Sequence, residues 1–179
     1  KKLFGISNVK WQGLFSDWKK AKIHCGSYDE DEIFEKVSSA SLKVKNGEAE
    51  WERDSVLFYE KSYNWQLISF LYYAKSIIGQ NICLLDFGGS LGSSYFQNFD
   101  FIKIDIQWNI VEQPHFVEFG NKNLKNPRLN FYKSIAECLS KNKINLVLIS
   151  SVLQYLENPM DTLNELLKLE NVCVIFDRL

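Results

Sequence analysis

The spacing of apolar residues changes near Gly79. Before it they fall largely at helical intervals. Residues 29–40 place Ile33, Phe34 and Val37 on one face and predict an amphipathic helix. Asn46-Gly47 marks a turn. Residues 54–78 carry Val56, Leu57, Trp65, Ile68, Leu71 and Tyr72 and predict one long helix or two short ones, closed by Gly79. Most aromatic residues of this region are expected in the core. After Gly79, short apolar runs alternate with helical stretches. Strands are predicted over 82–86, 108–112, 129–132, 144–149 and 172–176, with 102–106 as the rival for the second. Such near-continuous apolar runs suit parallel strands covered on both faces. Asn158-Pro159 supplies a cap residue and a first-position proline for a helix whose apolar stripe is Leu163, Leu166 and Leu167. The pattern predicts a helical, aromatic-rich region over 1–79 and a doubly wound, Rossmann-like α/β sheet over 80–179.

Composition narrows the picture. The chain has 179 residues, and 46% are apolar, enough for one domain with a real core plus an extension. Aromatics reach 15%, which points to aromatic-lined surfaces or a pocket. A net charge of −1 argues against nucleic acid as partner. No apolar run is long enough for a membrane span. Lys1-Lys2-Leu3-Phe4 leads into polar residues rather than an apolar signal segment, so a cytoplasmic location is expected. Cys25, Cys83, Cys138 and Cys173 are scattered, and three lie in or beside apolar segments, as buried free thiols would. His24 and His115 are too few and too separate to build a metal site with them, and no metal is expected.

The candidate chemistry begins after the first strand of the sheet. Leu84-Leu85-Asp86-Phe87-Gly88-Gly89-Ser90-Leu91-Gly92 is a strand end, an acid and a glycine-rich turn. Ser93, Ser94 and Tyr95 then suit a helix start. Glycine lets backbone approach a ligand closely and adopt positive φ, and the free N–H groups of a helix start favour polar or anionic atoms. The spacing is Asp-x-Gly-x-Ser-x-Gly, not the dinucleotide fingerprint Gly-x-Gly-x-x-Gly. Glu112 closes the second strand, where an acid can accept hydrogen bonds from both hydroxyls of a ribose. Asp105 is its rival, being nearer the usual separation of about 20 residues.

The glycine turn resembles the first motif of class I S-adenosylmethionine-dependent methyltransferases, with Ser90 at the usual middle glycine. The stretch from Asn145 through Ser150-Ser151 to Asn158-Pro159 resembles the fourth-strand motif of small-molecule methyltransferases, with Asn145 in place of an acid and Tyr155 in place of a histidine. Together with Trp51-Glu52-Arg53-Asp54, Trp108-Asn109-Ile110-Val111-Glu112-Gln113-Pro114, Trp11-Gln12-Gly13 and Asp17-Trp18, these stretches are similar to a family of bacterial methyltransferases often associated with surface-polysaccharide (O-antigen-type) biosynthesis. That resemblance implies S-adenosyl-L-methionine as cofactor and a small-molecule or glycan acceptor. It implies a cofactor site from Asp86, Gly88, Gly89, Ser90, Gly92, Glu112, Ser150 and Ser151, with the N-terminal region as a lid. Two further strands normally complete such a sheet, so a C-terminal segment is expected beyond Leu179.

Methyl transfer needs alignment and exclusion of water, and an acceptor hydroxyl or amine also needs a base. Candidate bases are His115 and Tyr155, with Glu157 beside them. Arg53 suits a phosphate or carboxylate, and Asp54 beside it is either a second substrate contact or a helix cap. Trp51, Tyr59, Tyr63 and Trp65 are candidates for stacking on rings, with core packing the alternative. Neither Asn/Asp-Pro-Pro-Tyr after the fourth strand nor Pro-Cys occurs, which argues against DNA amino and cytosine C5 methylation. Two rivals stay open: a non-catalytic binding or partner protein on the same fold, and a nucleotide-sugar or dinucleotide enzyme, which the absent fingerprint disfavours.

Overall fold

A computed structural model describes residues 13–24 and 31–178. Expectations for Trp11, Gln12, Cys25, the start of the first predicted helix at residue 29, and Leu179 lie outside the described residues. In chain order the elements are α1 (Trp18–His24), α2 (Asp31–Lys45), β1 (Trp51–Arg53), β2 (Val56–Phe58), α3 (Trp65–Ile78), β3 (Ile82–Phe87), α4 (Ser93–Asn98), β4 (Ile106–Val111), α5 (Pro114–Asn123), β5 (Leu129–Tyr132), α6 (Ile135–Lys141), β6 (Leu146–Ser150), a 3₁₀ turn (Leu153–Tyr155), α7 (Pro159–Leu167) and β7 (Cys173–Asp177).

Strands β3 to β7 form one parallel sheet in the order β5-β4-β3-β6-β7. Side chains alternate across it, as the two-residue strand period requires. Leu84, Trp108, Ile110, Leu146, Leu148 and Ile175 join one core with Leu67, Ile68 and Leu71 of α3, Tyr95 of α4 and Phe116 of α5. Leu85, Val111, Val147 and Ile149 join a second core with Ile135 and Cys138 of α6 and Leu166 of α7. The sheet is thus covered on both faces, the doubly wound arrangement anticipated from its apolar runs. Cys83, Cys138 and Cys173 are free thiols. Among the described residues no helix is long and apolar enough to cross a membrane.

The N-terminal region departs from expectation. Residues 54–64 are not helical. Residues 51–58 form an antiparallel hairpin, with Trp51 opposite Phe58 and Arg53 opposite Val56. Asp54 and Ser55 turn it with φ of 50° and 66°. Two consecutive left-handed residues match the twist of a two-residue hairpin and break a helix. The Trp51 and Phe58 rings stack at 3.9 Å. Helix α3 starts only at Trp65, where the Asn64 side chain accepts from the Leu67 N–H at 3.0 Å. Gly79 ends it at φ 70° as expected. The expected core role of the aromatics also fails in part, because Tyr59 and Trp65 are exposed.

Smaller corrections follow the same logic. The rival second strand 102–106 is loop up to Asp105, and β4 begins at Ile106. Pro159 opens α7 as expected, but the Asn158 side chain makes no capping hydrogen bond. Leu166 is buried and Leu163 half-buried, whereas Leu167 faces outward.

Asn145 locks the start of the sheet. Its Oδ1 accepts from the Cys83 N–H and its Nδ2 donates to the Asn81 carbonyl, both at 2.8 Å. Its backbone also pairs with Cys83 and Cys173. An aspartate at this position could accept but not donate. Replacing Asn145 by leucine removes both bonds, to the half-buried Cys83 N–H and to the carbonyl of exposed Asn81, and should cost about 1–2 kcal/mol, measured by urea unfolding. An unchanged unfolding midpoint would show that these bonds contribute nothing net.

Candidate functional site

Strands β3 and β4 end level with each other, since Phe87 pairs with Val111. Their exit loops therefore lie side by side at the carboxyl edge of the sheet, the edge where open α/β sheets bind ligands. The Gly88 N–H donates to the Val111 carbonyl at 3.0 Å, which sets the glycine turn beside Glu112. Gly88 has φ 71°. A Cβ there would meet Val152 Cγ2 at 2.4 Å, so the turn also packs on the loop after β6. A Cβ on Gly89 would lie 2.6 Å from Asp86 Cγ. Ser90 and Gly92 continue with φ of 52° and 93°. The Gly92 N–H closes the turn on the Gly89 carbonyl at 3.0 Å, and α4 follows. Asp105 stands at the opposite edge, where its carbonyl accepts from the Ile82 N–H.

Two carboxyls stand near the turn. Asp86 is buried beneath the turn and accepts from Trp108 Nε1 at 2.9 Å. Burial pushes its pKa up to about 7, against the lowering effect of the Trp108 bond and the Arg178 charge. Glu112 is likewise pushed to about 7, first by burial and further by the Asp86 charge, while the Gln113 N–H opposes the shift. Both groups change charge near neutrality. Neither has an ion-pair partner within 4.0 Å among the described residues. A carboxylate in this position can accept from a vicinal diol. Among the described residues no cluster of His, Cys, Asp or Glu is arranged to hold a metal ion.

Beside the carboxyls lies a hydrogen-bond network joining the N-terminal region to the sheet. Ser150 Oγ donates to Asp177 Oδ2 at 2.9 Å and accepts from Arg178 Nη2 at 2.9 Å. The Ser151 N–H reaches the carbonyls of Asp177 and Arg178. Asn64 Nδ2 donates to Asp177 at 3.4 Å, and the Asn64 N–H to Asn98 Oδ1 at 2.8 Å. Glu52 is buried and accepts from Ser93 Oγ and the Ser55 N–H. Burial raises its pKa against those two bonds. Arg53 Nη2 donates to Gln97 Oε1 at 3.1 Å.

The structure brings Asp86, Gly88, Gly89, Ser90, Gly92 and Glu112 together at the ends of β3 and β4. Ser150 and Ser151 join the network at their side. His115 instead packs with Phe34 at 4.9 Å and Phe116 at 4.8 Å. Tyr155 lies in the 3₁₀ turn after β6 and is largely exposed. Asp54 caps no helix and is spent on the hairpin turn. Sequence reasoning missed Trp108, Gln97, Asn98, Asp177 and Arg178 as neighbours of the site. The one signal for Trp108 was an indole N–H inside a run otherwise read as buried strand, which requires an acceptor.

No family model matches this chain, and no curated protein matches it. Among solved structures it is similar to the [4+2]-cyclase SpnF, at 14% identity and a TM-score of 0.46, over 79% of this chain and 54% of that one. It is also similar to the plantazolicin methyltransferase BamL in complex with a triazolic desmethylPZN analog and SAH, at 14% identity and a TM-score of 0.42, over 76% of this chain and 56% of that one. A third similarity is to the N-terminal domain of EvdMO1 with SAH bound, at 12% identity and a TM-score of 0.44, over 85% of this chain and 67% of that one. The chain spans about half the length of the first two structures.

Proposed function

We propose that this chain binds S-adenosylmethionine and serves a methyltransferase acting on a small-molecule or glycan acceptor, within the cytoplasmic steps of surface-polysaccharide assembly. The observation that carries the reading is the meeting of the glycine turn with Glu112 at the ends of adjacent parallel strands. The donor set fits such a group, because Glu112 is a half-buried carboxylate with no ion-pair partner among the described residues. Gly88 and Gly89 let the turn lie directly on Val152 and Asp86, where a Cβ would collide. Glu112 would accept from the ribose hydroxyls. Asp86, covered by Gly89 and tied to Trp108, acts by holding the turn in place rather than by touching the ligand. Gly92 and Ser90 complete the turn, while Ser150 and Ser151 form its flank.

When bound, the cofactor supplies a methyl group on a sulfonium, which is its own leaving group. The protein then has to align the acceptor and keep water out. The β1–β2 hairpin and the start of α3 stand over the same edge of the sheet through Glu52–Ser93 and Asn64–Asp177. We read this N-terminal region as the cover on the acceptor side. Tyr155, exposed beside the Ser151 loop, is the better placed of the two candidate bases. His115 is engaged with Phe34 and Phe116.

Titration of S-adenosylhomocysteine (SAH) into the whole chain, with NAD as control, tests the reading. SAH should bind and NAD should not; the converse would favour a dinucleotide enzyme. SAH bound without methyl transfer to any acceptor would favour a binding module. Gly88→Ala places a Cβ against Val152 in a left-handed residue and should abolish SAH binding; retained affinity would remove the glycine turn from the site. Glu112→Gln should weaken SAH binding by about tenfold or more, the scale of one charged hydrogen bond. The carboxylate form is the better acceptor, and Glu112 ionises around pH 7. Affinity should therefore rise between about pH 6 and 8 and level off above, a dependence that Glu112→Gln flattens. A flat profile in the parent protein would exclude Glu112 as the ribose contact.

A further inference from the structure

Arg53 is built as a receptor rather than as a structural ion pair. It ends β1, half-buried, with its guanidinium 5.2 Å from the Trp51 ring centroid. Nη2 is held by Oε1 of Gln97, a buried side chain on α4. Among the described residues no carboxylate lies within 4.0 Å of it. Two of the nearby acids, Glu52 and Asp177, are engaged elsewhere. Glu52 bonds Ser93 and Ser55, and Asp177 bonds Ser150, Asn64 and Arg178. A guanidinium has five N–H donors in a fixed plane. Here one is used, by a neutral acceptor, and one face leans on an indole. Among the described residues the rest of the fork has no hydrogen-bond acceptor.

The surroundings pull the Arg53 charge both ways. Burial disfavours it and the charge on Arg178 disfavours it further, while the charges of Asp54, Asp177 and Glu52 favour it from a distance. Two guanidiniums converge here from different parts of the fold, one on the hairpin and one after β7. An oxyanion relieves both effects, and its two oxygens match a guanidinium edge. The position is adjacent to the carboxyl edge of the sheet. Glu52 touches Ser93, the first residue after the glycine turn, while Arg178 is bonded to Ser150 at the end of β6.

We propose that Arg53, oriented by Trp51 and Gln97 and backed by Arg178, binds a carboxylate or phosphate oxyanion of a ligand at this edge. The proposal rests on reading the edge as a cofactor and acceptor site. The anion belongs either to the amino-acid end of the cofactor or to an anionic acceptor such as a sugar phosphate or uronate.

The test compares the whole chain with Arg53→Gln and Arg53→Lys by calorimetric titration of three probes, with thermal melting as the check on folding. The probes are SAH, 5′-methylthioadenosine (which lacks the carboxylate) and inorganic phosphate. Arg53→Gln should weaken SAH or phosphate by about tenfold and leave methylthioadenosine unchanged, with Arg53→Lys intermediate because it keeps the charge but not the fork. Loss confined to SAH assigns the anion to the cofactor. Loss confined to phosphate assigns it to the acceptor. Equal loss of SAH and methylthioadenosine, or no change in SAH and phosphate, overturns the proposal. If Arg53→Gln does not fold, Arg53→Lys carries the comparison. A parent chain that binds phosphate through Arg53 but no SAH retains the oxyanion site and removes the cofactor reading.

Discussion

Strand β3 is the member on which the other parts depend. It pairs with β4 on one edge and β6 on the other, and helices cover both of its faces. A strand so enclosed can carry a polar side chain only where a partner is supplied. Asp86 is that side chain, and Trp108 of β4 is the partner. The same enclosure lifts the carboxyl towards neutrality and leaves it one outlet, towards the turn above it. Gly89 is glycine because that outlet is already filled by the Asp86 carboxyl.

The N-terminal region acts on the site through polar rather than apolar contacts. Leu67, Ile68 and Leu71 of α3 join the main core, but the hairpin reaches the carboxyl edge through Glu52 and Arg53. Such contacts are directional, and each fixes a position as well as contributing energy. The hairpin is thus registered against α4, and α3 against β7 through Asn64 and Asp177. Side chains far apart in sequence meet over a single loop.

The sheet was legible because its strands are long apolar runs separated by turn residues, and their ends fell within two residues of expectation. The closeness of the glycine turn and Glu112 was legible because each was read at the end of a strand of one parallel sheet. The hairpin was not. Val56, Leu57 and Phe58 form an apolar run without a period, and only the left-handed pair Asp54-Ser55, a tertiary outcome, separates strand from helix there. The network of Gln97, Asn98, Asp177 and Arg178 was hidden for a related reason. Polar residues in isolation read as surface, and their burial appears only once the elements are placed. Asn145, seen in sequence as a missing acid, is a two-way hydrogen-bond clamp instead.

The Trp108 indole has an optical consequence. It is fully buried and shares its N–H with a carboxyl that changes charge near neutral pH. The excited indole is sensitive to a neighbouring negative charge, so the protonation state of Asp86 is written into its emission. A change in that charge would therefore register as a change in the colour or brightness of Trp108, without any label.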